Sequence, residues 1–101
     1  MSIPTLEQAK TYTRQIDNDL DAVIAIAIAA AQAEMDSFIG GDPSATRWPT
    51  EESVPGDVLA AALVLTGLHF EGGDALDVER RRGAAQALLN RYRTDSGLRA
   101  A

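Results

Sequence analysis

The stretch from Leu20 to Ile39 constrains this chain more than any other. Leu20, Val23, Ile24, Ala27, Ile28, Ala31, Met35 and Phe38 follow one another largely at steps of three and four, the spacing that keeps side chains on one face of an α-helix. A second series, Ala22, Ile26, Ala29, Ala30 and Ala33, falls on roughly the opposite side, and Asp21, Gln32, Glu34 and Asp36 sit in the seams. Between Val23 and Ala29 the alternation of bulky residues with Ala also fits a strand. Length decides for helix, because no turn residue intervenes before Gly40. A helix with two apolar faces must be covered on both. A chain of 101 residues makes one domain with a single core, so one of the two covers is expected to be another subunit.

The other elements fall into place around this helix. Thr5 has the spacing of an N-cap with Gln8 three residues on, which predicts a short helix over 5–13 with Leu6, Ala9 and Tyr12 or Thr13 inward. Residues 15–18 connect it to the long helix, predicted over 18–39, with Ile16 reaching the core and Asp17 or Asn18 as cap. Asp19 and Asp21 complement its dipole, and Gly40 ends it. Residues 41–54 read as an ordered surface loop that Trp48 pins to the domain. Pro55 opens a third helix over 55–71. One stripe of this helix is Val58, Ala61, Ala62, Leu65, Leu68 and His69, and another is Leu59, Leu63, Thr66 and Phe70, so it too is apolar nearly all round. Gly72 and Gly73 stop it. A last helix over 80–93 has Ala85, Leu88, Leu89 and Tyr92 on one side, and Gly83 weakens its first turn by about 1 kcal/mol relative to Ala. The expectation is an all-α, compact four-helix domain spanning 1–101, with a flexible C-terminal tail at 94–101.

Charge is segregated along the chain. Residues 1–40 hold two basic and six acidic groups, residues 41–79 one and eight, and residues 80–101 six and one, within a net charge of −6. An acidic body is a poor surface for duplex DNA. The basic end, with Arg80, Arg81, Arg82, Arg91, Arg93 and Arg99, suits an acidic protein surface, a phosphate backbone or the acidic body of an identical neighbour. Cysteine is absent, which removes disulfides, thiolate metal sites and thiol catalysis. The N-terminus lacks a signal-peptide pattern, and the uninterrupted apolar run from Ala22 to Ala31 is far short of the roughly 20 residues of a membrane span. A soluble protein is expected.

Catalytic constellations are missing from the sequence. His69 is the single histidine, on an apolar stripe where a hydrogen-bonded packing role is expected. Asp17, Asn18, Asp19 and Asp21 lack the central Gly and terminal Glu of a calcium loop. The serines have no G-x-S-x-G context, and the Gly pairs at 40–41 and 72–73 end helices instead of following strands. No enzyme activity, catalytic residue, metal or cofactor is expected.

Taken in order, these elements resemble the small all-helical head-tail connector (adaptor) proteins of tailed bacteriophages. The matching stretches are Thr5-Leu6-Glu7-Gln8-Ala9-Lys10, Ile16-Asp17-Asn18-Asp19-Leu20-Asp21, and Phe38-Ile39-Gly40. They continue with Val54-Pro55, Ala60-Ala61-Ala62-Leu63-Val64-Leu65, His69-Phe70, and Gly83 through to Ala87-Leu88-Leu89-Asn90-Arg91-Tyr92-Arg93. Two departures are Tyr12-Thr13, where the family has a hydrophobic residue, and an end of the third helix reduced to His69-Phe70-Glu71. The resemblance implies a structural virion protein at the head-tail junction, made in the bacterial host cytoplasm. It would form a ring of about a dozen subunits that bridges the portal protein to the next neck or tail protein and extends the DNA channel. Under this expectation Ala22, Ile26, Ala30, Ala33, Leu59, Leu63 and Phe70 supply subunit contacts, and the six arginines of the basic end meet the portal or a neighbour. The alternative is a small helical regulatory or nucleic-acid-binding module that uses its Arg-rich end.

Overall fold

The computed structural model describes residues 2–15 and 17–93. It contains five α-helices: α1 (Leu6–Thr13), α2 (Asp21–Ile39), α3 (Ser44–Arg47), α4 (Gly56–Glu71) and α5 (Ala75–Leu89). Single 3-10 turns lie at Glu51–Ser53 and Asn90–Tyr92, and no strand occurs among the described residues. The all-α class agrees with the sequence, but the described residues form five α-helices where four were expected. The expectations for Ile16, for the tail at 94–101 and for Arg99 fall outside the described residues.

α1 starts where its capping signal lies. Thr5 Oγ1 accepts from the Gln8 N–H at 3.2 Å and Gln8 Oε1 accepts from the Thr5 N–H at 2.9 Å, so two orphan donors are satisfied reciprocally. Its fully buried residues are Ala9 and Thr13, whereas Leu6 and Tyr12 are 37% and 43% exposed. The lead-in before it is not idle: Ile3 and Pro4 are buried, and the Ile3 N–H donates to Gln32 Oε1 on α2.

α2 begins at Asp21, three residues later than predicted, and neither Asp17 nor Asn18 caps it. Asp17 Oδ1 accepts from the Asp19 N–H in its own turn, while Asn18 Oδ1 accepts from Lys10 Nζ. Lys10 also pairs with Asp21 at 2.9 Å, so this one ammonium ties α1 to the start of α2. At the far end Gly40, with φ 75°, supplies the positive dihedral the stop requires and donates its N–H to Asp36 O.

The predicted loop 41–54 contains α3, held because Asp36 Oδ1 accepts from the Ser44 N–H and Pro43 O accepts from Thr46 and Arg47. Trp48 then packs on the core and meets the Tyr92 ring edge-on at 5.6 Å between centroids. α5 starts at Ala75, five residues before its expected start. Asp74 caps it by accepting from the Asp77 N–H, and this outweighs the weak helix propensity of Gly83.

α4 is the central helix, packed against α2 and α5 along its length and against α1 on a flank. Val58, Ala61, Ala62, Leu65, Thr66, Gly67 and Leu68 are all buried. Val58, Ala61, Ala62, Leu65 and Leu68 join Ile3, Ala31, Met35, Ile39, Ala85 and Leu89 in the main core. A smaller cluster of Ala9, Ile24 and Ile28, with Phe70 against it, closes the α1 side. A Cβ at Gly67 would lie 3.2 Å from the Tyr12 ring and 3.3 Å from the Arg81 guanidinium. The missing side chain is thus what lets α1 and α5 close over α4 at this level.

By length and composition α2, at 19 residues and mean hydropathy 1.6, meets the criterion for a membrane span. Its polar side chains are nonetheless engaged with other elements of the fold, since Gln32, Glu34 and Asp36 all hold partners outside the helix. Met35→Ala and Leu65→Ala are expected to cost about 2–5 kcal/mol each by cavity formation. Leu76→Ala, at an exposed site on α5, should stay within about 0.5 kcal/mol. Urea denaturation of the three variants checks the contrast.

Candidate functional site

The second apolar series of α2 faces solvent. Ile26 is 71% exposed and Val23 48%, and Ala22, Ala25, Ala29 and Ala33 are exposed around them, with Ala30 half-buried. Leu20 and Val23, assigned to the inner stripe from the sequence, lie on the open side as well. The inward residues are Ile24, Ala27, Ile28, Ala31, Met35 and Ile39. The rotation of α2 therefore hides most of its bulky residues and leaves a mostly alanine surface crossed by Val23 and Ile26.

The corresponding series on the third predicted helix behaves differently. Leu59, Leu63 and Phe70 of α4 are half-buried. Phe70 packs on Ala9, Ile24 and Ile28, so the apolar surplus of α4 is largely covered within the domain. What remains is an open groove of about 630 Å³ between α1 and α4, lined by Glu7, Gln8, Thr11, Tyr12, Glu51 and Leu63.

Most of the basic end is engaged within the fold. Arg82 makes a two-pronged contact with Glu34, its Nε reaching Oε2 and its Nη2 lying 3.1 Å from Oε1. Arg81 pairs with Asp77 at 3.5 Å and Arg91 with Asp57 at 3.4 Å. Arg93 donates to Phe38 O and lies 4.6 Å over its ring. Arg80 is exposed and makes no ion pair among the described residues.

Two polar clusters were not legible as clusters in the sequence. In the first, Glu34 of α2 binds Arg82 of α5 and the His69 Nε2 of α4, the latter at 2.9 Å. His69 thus has the hydrogen bond expected of it, but at the surface of α4 instead of packed on its buried stripe. Partial burial pushes the Glu34 carboxyl upward, but hydrogen bonds from Arg82 and His69, with their charges, outweigh it and hold the group below its ordinary value. In the second, the Tyr92 hydroxyl donates to Asp57 Oδ1 at 2.7 Å. That bond lowers the Asp57 carboxyl, with burial opposing and Arg91 assisting, and raises the Tyr92 hydroxyl. A carboxylate in the middle of an apolar helix was the available signal for the first cluster, because such a group needs a partner from elsewhere. Asp57 gave no such signal, since a helix N-terminus already accounts for it.

Among the described residues no group of three His, Cys, Asp or Glu side chains is placed to hold a metal ion. What the surface offers instead is area: an apolar helix face, a groove with carboxylates in its lining and an exposed cation on α5. In comparisons with protein families, curated proteins and solved structures, nothing matches the chain.

Because the Glu34 carboxyl is lowered in the fold, its stabilising effect is full above 4.5, its ordinary value, and disappears as pH falls through the folded value. The partner Arg82 is about one-third exposed, so screening limits the effect to about 1 kcal/mol. Wild type should exceed Glu34→Gln by that amount at neutral pH, and the gap should close on acidification below 4.5 in thermal melts of the two proteins. A gap independent of pH contradicts the assignment.

Proposed function

We propose that this chain is a structural, non-catalytic virion protein of a tailed bacteriophage. In this reading it forms an oligomeric ring at the head-tail junction that bridges the portal to the next neck or tail protein and extends the DNA channel. The observation that supports this reading most is the uncovered face of α2, with Ile26 71% exposed in a continuous field of Ala22, Val23, Ala29 and Ala33. Contiguous exposed apolar surface on a small domain marks a contact surface. The resemblance in the order of sequence elements supplies the identity of the assembly.

The energetics fit a subunit that assembles on a template. Full burial of a Val or Ile side chain is worth about 1.5–3 kcal/mol, and the alanines around them add less. Such a patch falls short of, or barely meets, the roughly 4–15 kcal/mol of translational and rotational freedom lost on association. Free subunits are therefore expected to be mainly monomeric, with only transient contacts between them that a crosslinker can trap. Docking on a portal gathers them, and ring closure then gives each subunit two contacts with its neighbours. The acidic body lets DNA pass without gripping it, because a wall of like charge to the phosphates provides no counterion release. The alternative, nucleic-acid binding through the basic end, is weakened by the internal partners of Arg81, Arg82, Arg91 and Arg93.

The test is co-sedimentation with purified portal particles, with particle mass read by light scattering. Wild type should add a ring's mass to the portal. Ile26→Asp, which leaves the core untouched, should lose at least about tenfold in binding, since a carboxylate buried without a partner costs well over 1.4 kcal/mol. A wild-type chain that ignores portal particles, or an Ile26→Asp variant that assembles normally, defeats the proposal. Salt-sensitive DNA binding that disappears when Arg80, Arg81 and Arg82 are neutralised would favour the alternative.

A further inference from the structure

Two features of the surface remain without a role in the fold or in the face of α2. One is the open groove between α1 and α4, whose lining joins the 43%-exposed Tyr12 and Leu63 with the carboxylates Glu7 and Glu51. Glu7 makes no ion pair or hydrogen bond among the described residues, and Glu51 uses one carboxylate oxygen to accept from Gln8 Nε2. The other is the outer side of α5, where Leu76 is 61% exposed and Arg80 makes no ion pair among the described residues. Leu76 and Arg80 are four residues apart on one helix, so they stand side by side on a single face.

The two features are complementary in chemistry. A lining that combines Tyr12 and Leu63 with Glu7 and Glu51 suits an apolar anchor with a cation about one helical turn away, and Leu76 with Arg80 supplies that pair. Glu79 lies about 100° round the helix from Arg80, so a contact along the Leu76–Arg80 line leaves it in solvent. Leu76 and Arg80 lie on the side of α5 turned away from α4, against which Ala85 and Leu89 are packed, so they belong to a different surface from the groove. A second copy of the chain is therefore the occupant that the charge pattern favours. We infer that the α1–α4 groove of one subunit receives the Leu76–Arg80 corner of α5 from the next. The contact is heterologous, with different surfaces on the two partners, so it propagates in one direction and closes into a ring when the rotation allows. It rests on the reading of the chain as a self-assembling subunit and names a contact separate from the α2 face.

The absence of cysteine makes a direct test available. Thr11→Cys marks the groove and Ala84→Cys marks the α5 face one turn beyond Arg80, and both positions are exposed. The two single-cysteine proteins are mixed and treated with a short thiol-to-thiol crosslinker. The mixed dimer should exceed either homodimer by about tenfold, the range in which one good charge pair acts. Arg80→Glu in the Ala84→Cys protein should abolish that excess, and Glu7→Arg with Glu51→Arg in the Thr11→Cys protein should restore it. Circular dichroism confirms that each variant keeps its helices. Mixed dimers in the statistical ratio, or an excess indifferent to charge reversal, overturn the inference. A crosslink obtained in a chain that never binds portal would leave this contact standing and defeat the connector reading. Portal-bound rings with statistical crosslinking would do the reverse.

Discussion

A domain of this size has one centre, and only one helix can be covered on all sides there. The chain contains two helices apolar on more than one face, and α4 takes the central place between α1, α2 and α5. Small residues make this possible: Ala61, Ala62 and Gly67 bring the neighbours close, with the Tyr12 ring and the Arg81 guanidinium resting where a larger residue at position 67 would stand. α2 is displaced to the edge. Its inner face joins the core and its outer face meets solvent, with Ile26 as the most exposed large apolar side chain among the described residues. The outward apolar surface is thus a consequence of how the centre was filled.

Which face of α2 turns outward is set by two different forces. Hydrophobic burial is non-directional and scales with area, so it favours hiding Ile24, Ile28 and Met35 over Ala22, Ala29 and Ala33. Polar contacts then fix the rotation. Gln32 accepts from Ile3 and donates to Ser44, Asp36 accepts from the Ser44 backbone, and Glu34 reaches Arg82 and His69. Any substantial rotation of α2 about its axis would break these together. The exposed position of Ile26 is therefore held in place by bonds on other sides of the helix.

The sequence made the class and several boundaries legible because those are local properties. The capping box at Thr5 and Gln8, the glycine stop at Gly40, the proline start before Gly56 and the double-faced α2 all act within a few residues. Trp48 fixing its loop was legible too, from an indole isolated between polar neighbours. What was missed depends on residues far apart in sequence or on competing caps. Asp36 reaching forward to Ser44 nucleates α3, and Asp74 begins α5 before the arginine run that looked like its start. The coverage of Phe70 by Ala9, Ile24 and Ile28, and the internal pairing of Arg82 and Arg91, exist only once helices pack. Of the candidate contact residues, Ala22, Ile26 and Ala33 are exposed, and Ala30, Leu59, Leu63 and Phe70 are half-buried.

The central proposal is that the outward face of α2 becomes an interface when the protein assembles. Side-chain footprinting with a photoactivated carbene reads this at single residues, in the free chain and in portal-bound particles. Ile26 and Val23 should be strongly labelled in the free chain and protected several-fold in the particle, while Met35, already buried, should be silent in both. Equal labelling of Ile26 in the free and bound states would contradict the proposal.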